Sequence, residues 1–228
     1  MKQKDLTFHT LRVIYSLLML FKKESRGIHM ASKYVHEKAF RSSTVKTALK
    51  FVDPKTEKII LTKFDSLMEE NKDAESYRMT HLRSSILPAI AVYQGCRESN
   101  IDKDVAYRIA HTAMMEACRR PSRFMSLFGK LPFSYAVLRR MLPGFLHKTY
   151  DNRLWNFNWK HSDKDSVRVD ASSCPYFEAC VHYGVPELGA IFCEGDDKSF
   201  GSMKHVGWGR TRTLAKGGDL CDFRFYRR

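Results

Sequence analysis

The sequence lacks an apolar run long enough to cross a membrane. Its most apolar early segment, Leu11 to Phe21, falls well short of the roughly 20 residues that a membrane-spanning helix needs. No small-residue cleavage site follows this segment, which argues against a secretory signal peptide. These absences predict a protein with no membrane partner.

Cysteine is scarce, and its spacing is irregular. Six cysteines in 228 residues are too few for a secreted disulfide scaffold, which predicts a cytoplasmic protein with reduced thiols. No two of them have CxxC spacing, and no HExxH pattern occurs, so the common zinc signatures are missing.

Acidic residues are scarce in the first two thirds of the chain. Residues 1–150 contain 27 Lys and Arg against 14 Asp and Glu, so this part carries nearly all of the net charge of +14. A basic surplus attracts nucleic acid or anionic membranes, but no zinc-finger spacing, RNP-type strand or basic run of five residues accompanies it. We interpret the surplus as solvated helix faces and do not expect nucleic acid as a partner.

Helical periodicity dominates up to residue 150. Apolar residues recur at helical spacing in residues 6–23, 31–51, 59–71 and 76–98, and Pro88 predicts a kink or break in the last of these ranges. Asn100 has the character of an N-cap for a helix that stops at Pro121. Short helices punctuated by glycine and proline follow.

After Tyr150 the pattern changes to strands. Two hairpins are predicted, and between them Pro175 and Pro186 each open a helix, the second ending near Cys193. The strands of these hairpins are predicted at residues 154–161, 166–172, 207–214 and 220–226. The fold class is therefore α+β, with a helical N-terminal part followed by a small antiparallel sheet with inserted helices. We divide the chain into a helical extension of unknown role (1–75) and one domain (76–228), which consists of helices (76–150) and a cysteine-rich α+β segment (151–228).

The residues with the most chemical potential concentrate in residues 174–223. This stretch holds four of the six cysteines and a group of carboxylates: Cys174, Cys180, Cys193, Cys221, Glu187, Glu194, Asp196, Asp197 and Asp222. Because side chains alternate along a strand, Cys221 and Asp222 face opposite sides of the last strand.

Cys193 is the thiol best placed for chemistry. Cys96, Cys118 and Cys180 are typical of small buried apolar residues, whereas carboxylates directly follow Cys193. Nearby acids raise the pKa of a thiol, so nucleophilic use of Cys193 requires compensation from Arg210, Arg212 or a helix N-terminus.

Five short blocks resemble the L-2-amino-thiazoline-4-carboxylic acid hydrolase family. They are Cys-Pro-Tyr (174–176), Gly-x-Pro-Glu-Leu (184–188), Phe-Cys-x-x-Asp (192–196), Arg-Thr-x-Thr-Leu (210–214) and Gly-Gly-Asp-x-Cys-Asp-Phe (217–223). The resemblance implies a hydrolase that acts on the carbon–nitrogen bonds of a cyclic amidine. Its substrate would be a small sulfur–nitrogen heterocycle on a route to L-cysteine.

The resemblance also implies a set of site residues without fixing the role of each. We interpret five as catalytic, namely Cys193, Asp196, Glu187, Cys221 and Asp222. Arg210 and Thr213 are interpreted as substrate-binding, with Arg210 holding a substrate carboxylate. A divalent metal held by Cys174, Cys193 and Cys221 stays open as a cofactor.

Two other interpretations compete with the hydrolase. The cysteine-rich segment also resembles vinyl-reductase-like small-molecule-binding domains, which favours a non-catalytic, sensor-like module for a small molecule or metal. Alternatively, the basic first part is an interaction or nucleic-acid-binding surface, whose affinity would fall steeply with salt. The sequence leaves the oligomeric state open.

Overall fold

The computed structural model describes residues 42–160 and 162–228. The α-helices and strands are, in chain order, α1 (Ser43–Ala48), α2 (Pro54–Glu70), α3 (Ser76–His81), α4 (Leu87–Glu98), α5 (Lys103–Ala117), α6 (Arg119–Gly129), α7 (Ser134–Thr149), α8 (Asn152–Trp155), β1 (Phe157–Trp159), β2 (Ser166–Ala171), α9 (Pro175–His182), α10 (Gly189–Phe200), β3 (Val206–Gly209) and β4 (Cys221–Arg227). A π-helical turn (Leu82–Ile86) joins α3 to α4, and 3-10 turns lie at Leu49–Phe51, Pro186–Leu188 and Leu214–Lys216.

The predicted helix boundaries need correction around residues 100 and 120. Asn100 has a left-handed backbone (φ 61°) just beyond the end of α4, and Asp102 caps α5 by accepting from two backbone N–H groups. Pro121 lies in the first turn of α6, where its missing N–H costs nothing, so it does not stop a helix. Pro88, in contrast, coincides with the predicted break, because it opens α4 after the π-helical turn.

Helices α1, α2, α4 and α5 surround the main apolar core. α4 is buried on nearly all sides, packs against α2 and α5, and contributes Ile90 and Val92 to the core. Ile60 and Phe64 of α2 lie in the same core, as does Ile191 of α10. The cysteine-rich segment is therefore anchored on the helical part by shared burial of apolar side chains.

The sheet has the strand order β1-β2-β4-β3, and all of its pairs are antiparallel. Val167 and Phe225 form a cross-strand pair whose side chains pack, with Met203, against Leu138 and Leu142 of α7. The predicted α+β class, helices first and a small antiparallel sheet with inserted helices after, is confirmed.

The ends of several strands differ from the prediction. Residues 152–155 form the short helix α8, so β1 begins only at Phe157. β3 ends at Gly209, and the residues from Arg210 to Thr213 form a loop. This loop becomes part of the candidate site.

Some predictions fall outside the described residues. They are the helix at 6–23, the first part of the helix at 31–51, and the last residue of the strand at 154–161. The separate role of residues 1–75 stays a prediction. No helix among residues 42–160 and 162–228 is long and apolar enough to cross a membrane.

Candidate active site

Helix α10 carries the centre of the candidate site. Asp196 and Asp197 follow Cys193 by three and four positions, so both lie on the same face of the helix as Cys193. The sequence prediction ended this helix near Cys193 and is wrong there, because the helix continues through both aspartates. Gly195 lets α10 pack closely, since a Cβ at that position would lie 3.1 Å from Cys118 Sγ.

Arg210 ties this helix to the sheet. It directly follows β3, and only 7% of its side chain is exposed. Its Nη1 atom lies 3.3 Å from Asp196 Oδ2. Its Nη2 atom lies 2.9 Å from Asp197 Oδ2 and also donates to the backbone carbonyl of Cys193 at 2.5 Å. Trp208 supports the arrangement, because its indole N–H donates to Asp197 Oδ1 at 2.9 Å. The guanidinium that the sequence assigned to a substrate carboxylate is thus engaged by acceptors of the protein itself.

Asp196 has the electrostatic character of a proton-transfer group. Protein atoms crowd its carboxylate although 47% of the side chain remains exposed, and this desolvation raises the pKa of Asp196 to about 6. The positive charge of Arg210 opposes the increase, and Asp197 adds to it. A carboxyl group with a pKa close to neutrality can both take and return a proton under physiological conditions.

The Cys193 thiol is held in its neutral form. Burial raises its pKa, and Asp196 adds to the increase, while the Thr213 hydroxyl, Arg210 and Lys216 oppose it. Arg210 thus supplies the compensation that nucleophilic use of this cysteine requires, but burial outweighs it. A neutral thiol is a poor nucleophile, so its surroundings do not activate Cys193 for attack, whereas the raised pKa of Asp196 suits that carboxyl to proton transfer.

Cys174 and Cys221 lie near Cys193 and complete a group of thiols. Burial raises the pKa of Cys174 to about 12. Cys193 and Cys221 lie near enough for a negative charge on either of them to raise the pKa of Cys174, so the three cysteines are neighbours. Burial also raises the pKa of Cys221, whose sulfur accepts from the Leu214 N–H at 3.4 Å. Across the described ranges, no three His, Cys, Asp or Glu side chains converge closely enough to hold a metal ion. The structure therefore does not assemble the predicted three-cysteine metal site.

Glu187 lies away from this group and has partners of its own. Its Oε1 accepts from the Tyr93 hydroxyl at 2.6 Å and lies 3.2 Å from Lys103 Nζ. Burial acts to raise the pKa of Glu187, but these two partners lower it overall. The contacts connect the 3-10 turn at Pro186–Leu188 to α4 and α5.

Asp222 organises the loop that follows β3. Its Oδ1 accepts from the backbone N–H groups of Thr211 (2.8 Å) and Arg212 (2.7 Å), and its Oδ2 accepts from the Thr211 hydroxyl (2.6 Å). Cys221 is buried while Asp222 contacts this exposed loop, in keeping with the predicted alternation along the strand. The neighbouring loop residue Thr213 is also buried, and its hydroxyl makes no hydrogen bond of normal geometry within the part of the chain that the structure describes.

Two aromatic residues that the sequence analysis did not single out lie near Asp196, and a third, His81, packs against both of them. Tyr150 and Tyr176 both lie near enough for the negative charge of Asp196 to raise their pKa values, after the larger effect of burial. His81 packs against Tyr150 and Tyr176, with ring centroids 5.5 and 5.9 Å apart. Tyr176 belongs to the Cys-Pro-Tyr block and had a signal in the sequence, whereas no pattern marks Tyr150 or His81.

The hydrogen bonds of His81 define its tautomer. Nε2 lies 3.3 Å from the Thr149 carbonyl oxygen, which only accepts, so Nε2 carries the hydrogen. Burial lowers the pKa of His81 despite that contact, and the neutral ring presents Nδ1 as an acceptor. The Tyr176 hydroxyl lies 3.1 Å from Nδ1 and donates to it. The orientation of Tyr176 beside Asp196 is therefore set by a buried histidine 95 residues away in the chain.

Comparison with known proteins gives one family assignment. Neither the curated proteins nor the solved structures include a match to this chain. The family model for L-2-amino-thiazoline-4-carboxylic acid hydrolase matches residues 79–225, which includes both the cysteine-rich segment and His81. The chain belongs to the L-2-amino-thiazoline-4-carboxylic acid hydrolase family.

Proposed function

We propose that this protein is a hydrolase that opens a small sulfur–nitrogen heterocycle such as L-2-amino-thiazoline-4-carboxylate. The observation that carries the proposal is Asp196, a carboxylate with a pKa of about 6 that is fixed by buried Arg210 beside a group of thiols. The family membership supplies the class of substrate. We assign the protein to the cytoplasm, on a route that leads to L-cysteine, because of its reduced thiols and this substrate class.

In the proposed reaction water is the nucleophile. The Asp196 carboxylate removes a proton from a water molecule, and the water oxygen bonds to the ring carbon that carries both sulfur and nitrogen. As this bond forms, the π electrons of the ring C=N bond move to the nitrogen, which takes the proton back from the Asp196 carboxyl. The Asp196 carboxylate then removes the hydroxyl proton of the adduct and delivers it to the same nitrogen, while the carbon–nitrogen single bond breaks and the C=O bond forms. One water molecule is consumed, and a carbamoyl group remains on the cysteine sulfur.

The remaining residues position this group. Arg210, which also pairs with Asp197, fixes the Asp196 carboxylate. The raised pKa of Cys193 keeps its thiol neutral, so that it contacts the substrate without attacking it. Tyr176 is held beside Asp196 by His81, where its hydroxyl limits the access of bulk water.

The test measures the ring-opened product by mass spectrometry after incubation with L-2-amino-thiazoline-4-carboxylate. We expect turnover by the wild type, loss of at least about a hundredfold in kcat for Asp196→Asn, and retained turnover for the matched variant Asp197→Asn. Cys193→Ala should retain most of the activity. An inactive wild type that nevertheless binds the compound would instead support the sensor-like alternative, and an inactive Cys193→Ala would return the nucleophilic role to the thiol.

A further inference from the structure

A polar cleft of about 430 Å³ is lined mainly by the loop that carries Arg210. Its polar lining includes Asp197, Trp208, Arg210, Arg212, Thr213 and Lys216. Thr213 connects this cleft to the candidate active site, because it lines the cleft and its hydroxyl also affects the Cys193 thiol. A small ligand in the cleft would therefore lie next to the proposed reacting groups.

The three cations of the cleft differ in their availability. Arg210 is buried, and both of its terminal nitrogens already pair with acceptors on α10. Arg212 pairs with Asp219 at 2.7 Å. Lys216 has no carboxylate partner among the described residues, is exposed, and lies near enough to Cys193 for its charge to lower the pKa of that thiol. Lys216 is therefore the cation of this cleft that can take up an anion without breaking an existing ion pair.

Thr213 gives a second, independent indication of a ligand. The residue is 5% exposed, and its Oγ1 atom makes no hydrogen bond of normal geometry with any described residue, although it lies near enough to the Cys193 thiol to lower the pKa of that group. A buried hydroxyl without a well-formed hydrogen bond carries a desolvation cost that nothing offsets. An acceptor oxygen from a bound molecule would remove this cost, and a carboxylate offers two such oxygens.

We propose that Lys216 and Thr213 bind the carboxylate of the substrate, while Arg210 holds Asp196 and does not contact the substrate carboxylate. The inference rests on the proposed function, because it identifies how the heterocycle is oriented on this site. With the carboxylate held between the Lys216 ammonium and the Thr213 hydroxyl, the ring extends towards Cys193 and Asp196. The cleft would then select carboxylated rings over the same ring without a carboxylate.

The test compares L-2-amino-thiazoline-4-carboxylate with 2-amino-thiazoline, which has the same ring without the carboxylate. Calorimetric binding is measured on Asp196→Asn protein, so that no turnover interferes, and kcat and KM are measured on protein with Asp196 intact. A charge-assisted hydrogen bond contributes about 1.5–3 kcal/mol, so Lys216→Met should weaken binding of the carboxylated ring by about tenfold or more and raise its KM, with little change in kcat. Its effect on 2-amino-thiazoline should be within about twofold.

Two further variants sharpen the result. Lys204→Met removes an equally exposed lysine outside the cleft and should change neither ligand's affinity. Thr213→Val keeps the shape of the side chain and should weaken only the carboxylated ring. The inference is wrong if Lys216→Met keeps the full preference for the carboxylated ring, or if it weakens the binding of both rings equally. Turnover by the wild type would still uphold the proposed function in that case. If the wild type turns over neither ring, the proposed function fails, and the binding comparison still decides whether the carboxylate site exists.

Discussion

The pH dependence of activity gives the sharpest test of the role of Asp196. Only the ionised carboxylate accepts a proton from water, so kcat/KM should rise with pH and reach its plateau above the pKa of Asp196. With that pKa at about 6, roughly one tenth of the molecules are competent at pH 5, and kcat/KM should be about tenfold below its plateau. The assay is steady-state hydrolysis of L-2-amino-thiazoline-4-carboxylate between pH 4.5 and 8.

Variants of the neighbouring charges provide the controls. Asp197 also pairs with Arg210, and its negative charge raises the pKa of Asp196. Asp197→Asn should therefore move the midpoint of the acid limb, the low-pH part of the kcat/KM profile, slightly towards lower pH. Arg210→Gln removes the positive charge that lowers this pKa, so the limb should move to higher pH. An acid limb centred near pH 4, the ordinary range of an aspartate, would refute the assignment.

The same group should also affect stability. Its folded-state pKa lies above its value of 3.8 in the unfolded chain, so folding favours the protonated form. Its stabilising contribution is complete below pH 3.8 and is lost as the pH rises through 6. The full shift corresponds to about 3 kcal/mol, but solvent reaches 47% of the side chain, so we expect on the order of 1 kcal/mol. Urea denaturation at pH 4 and 7 should show this decrease in the wild type but not in Asp196→Asn.

The remaining predictions concern stability. Gly95→Ala should lower the unfolding free energy by about 1–3 kcal/mol, because the added Cβ would lie 2.8 Å from a backbone atom of α2. Gly144→Ala should raise the unfolding free energy by about 0.5–1 kcal/mol, because no atom lies within 4 Å of the added Cβ. Urea denaturation measures both changes. Asp222→Ala removes three hydrogen bonds of the active-site loop and should increase amide hydrogen exchange there while the helical core stays protected. A double-mutant cycle of His81→Phe and Tyr176→Phe should give a coupling energy of about 0.5–2 kcal/mol, and additive effects would contradict the hydrogen bond between them.

The cysteine-rich segment shows how far local patterns reach. The alternation that separates Cys221 from Asp222 depends only on the strand period, and the sequence predicts it correctly. The end of α10 was mispredicted, because only the tertiary structure shows that the helix continues through Gly195, which packs against Cys118. In the same way Asn100 was taken for an N-cap, although a left-handed backbone at that position ends the preceding helix.

The sequence by itself determined the α+β class, most of the helices, and the blocks of residues that mark the family. The tertiary structure alone decided which of those residues act together. It engaged Arg210 with two aspartates, left Lys216 without a carboxylate partner among residues 42–160 and 162–228, and brought His81 to Tyr176 across 95 residues. Helices and strands follow from periodicity along the chain, whereas contacts between distant residues depend on how the elements pack, and no local pattern records that packing.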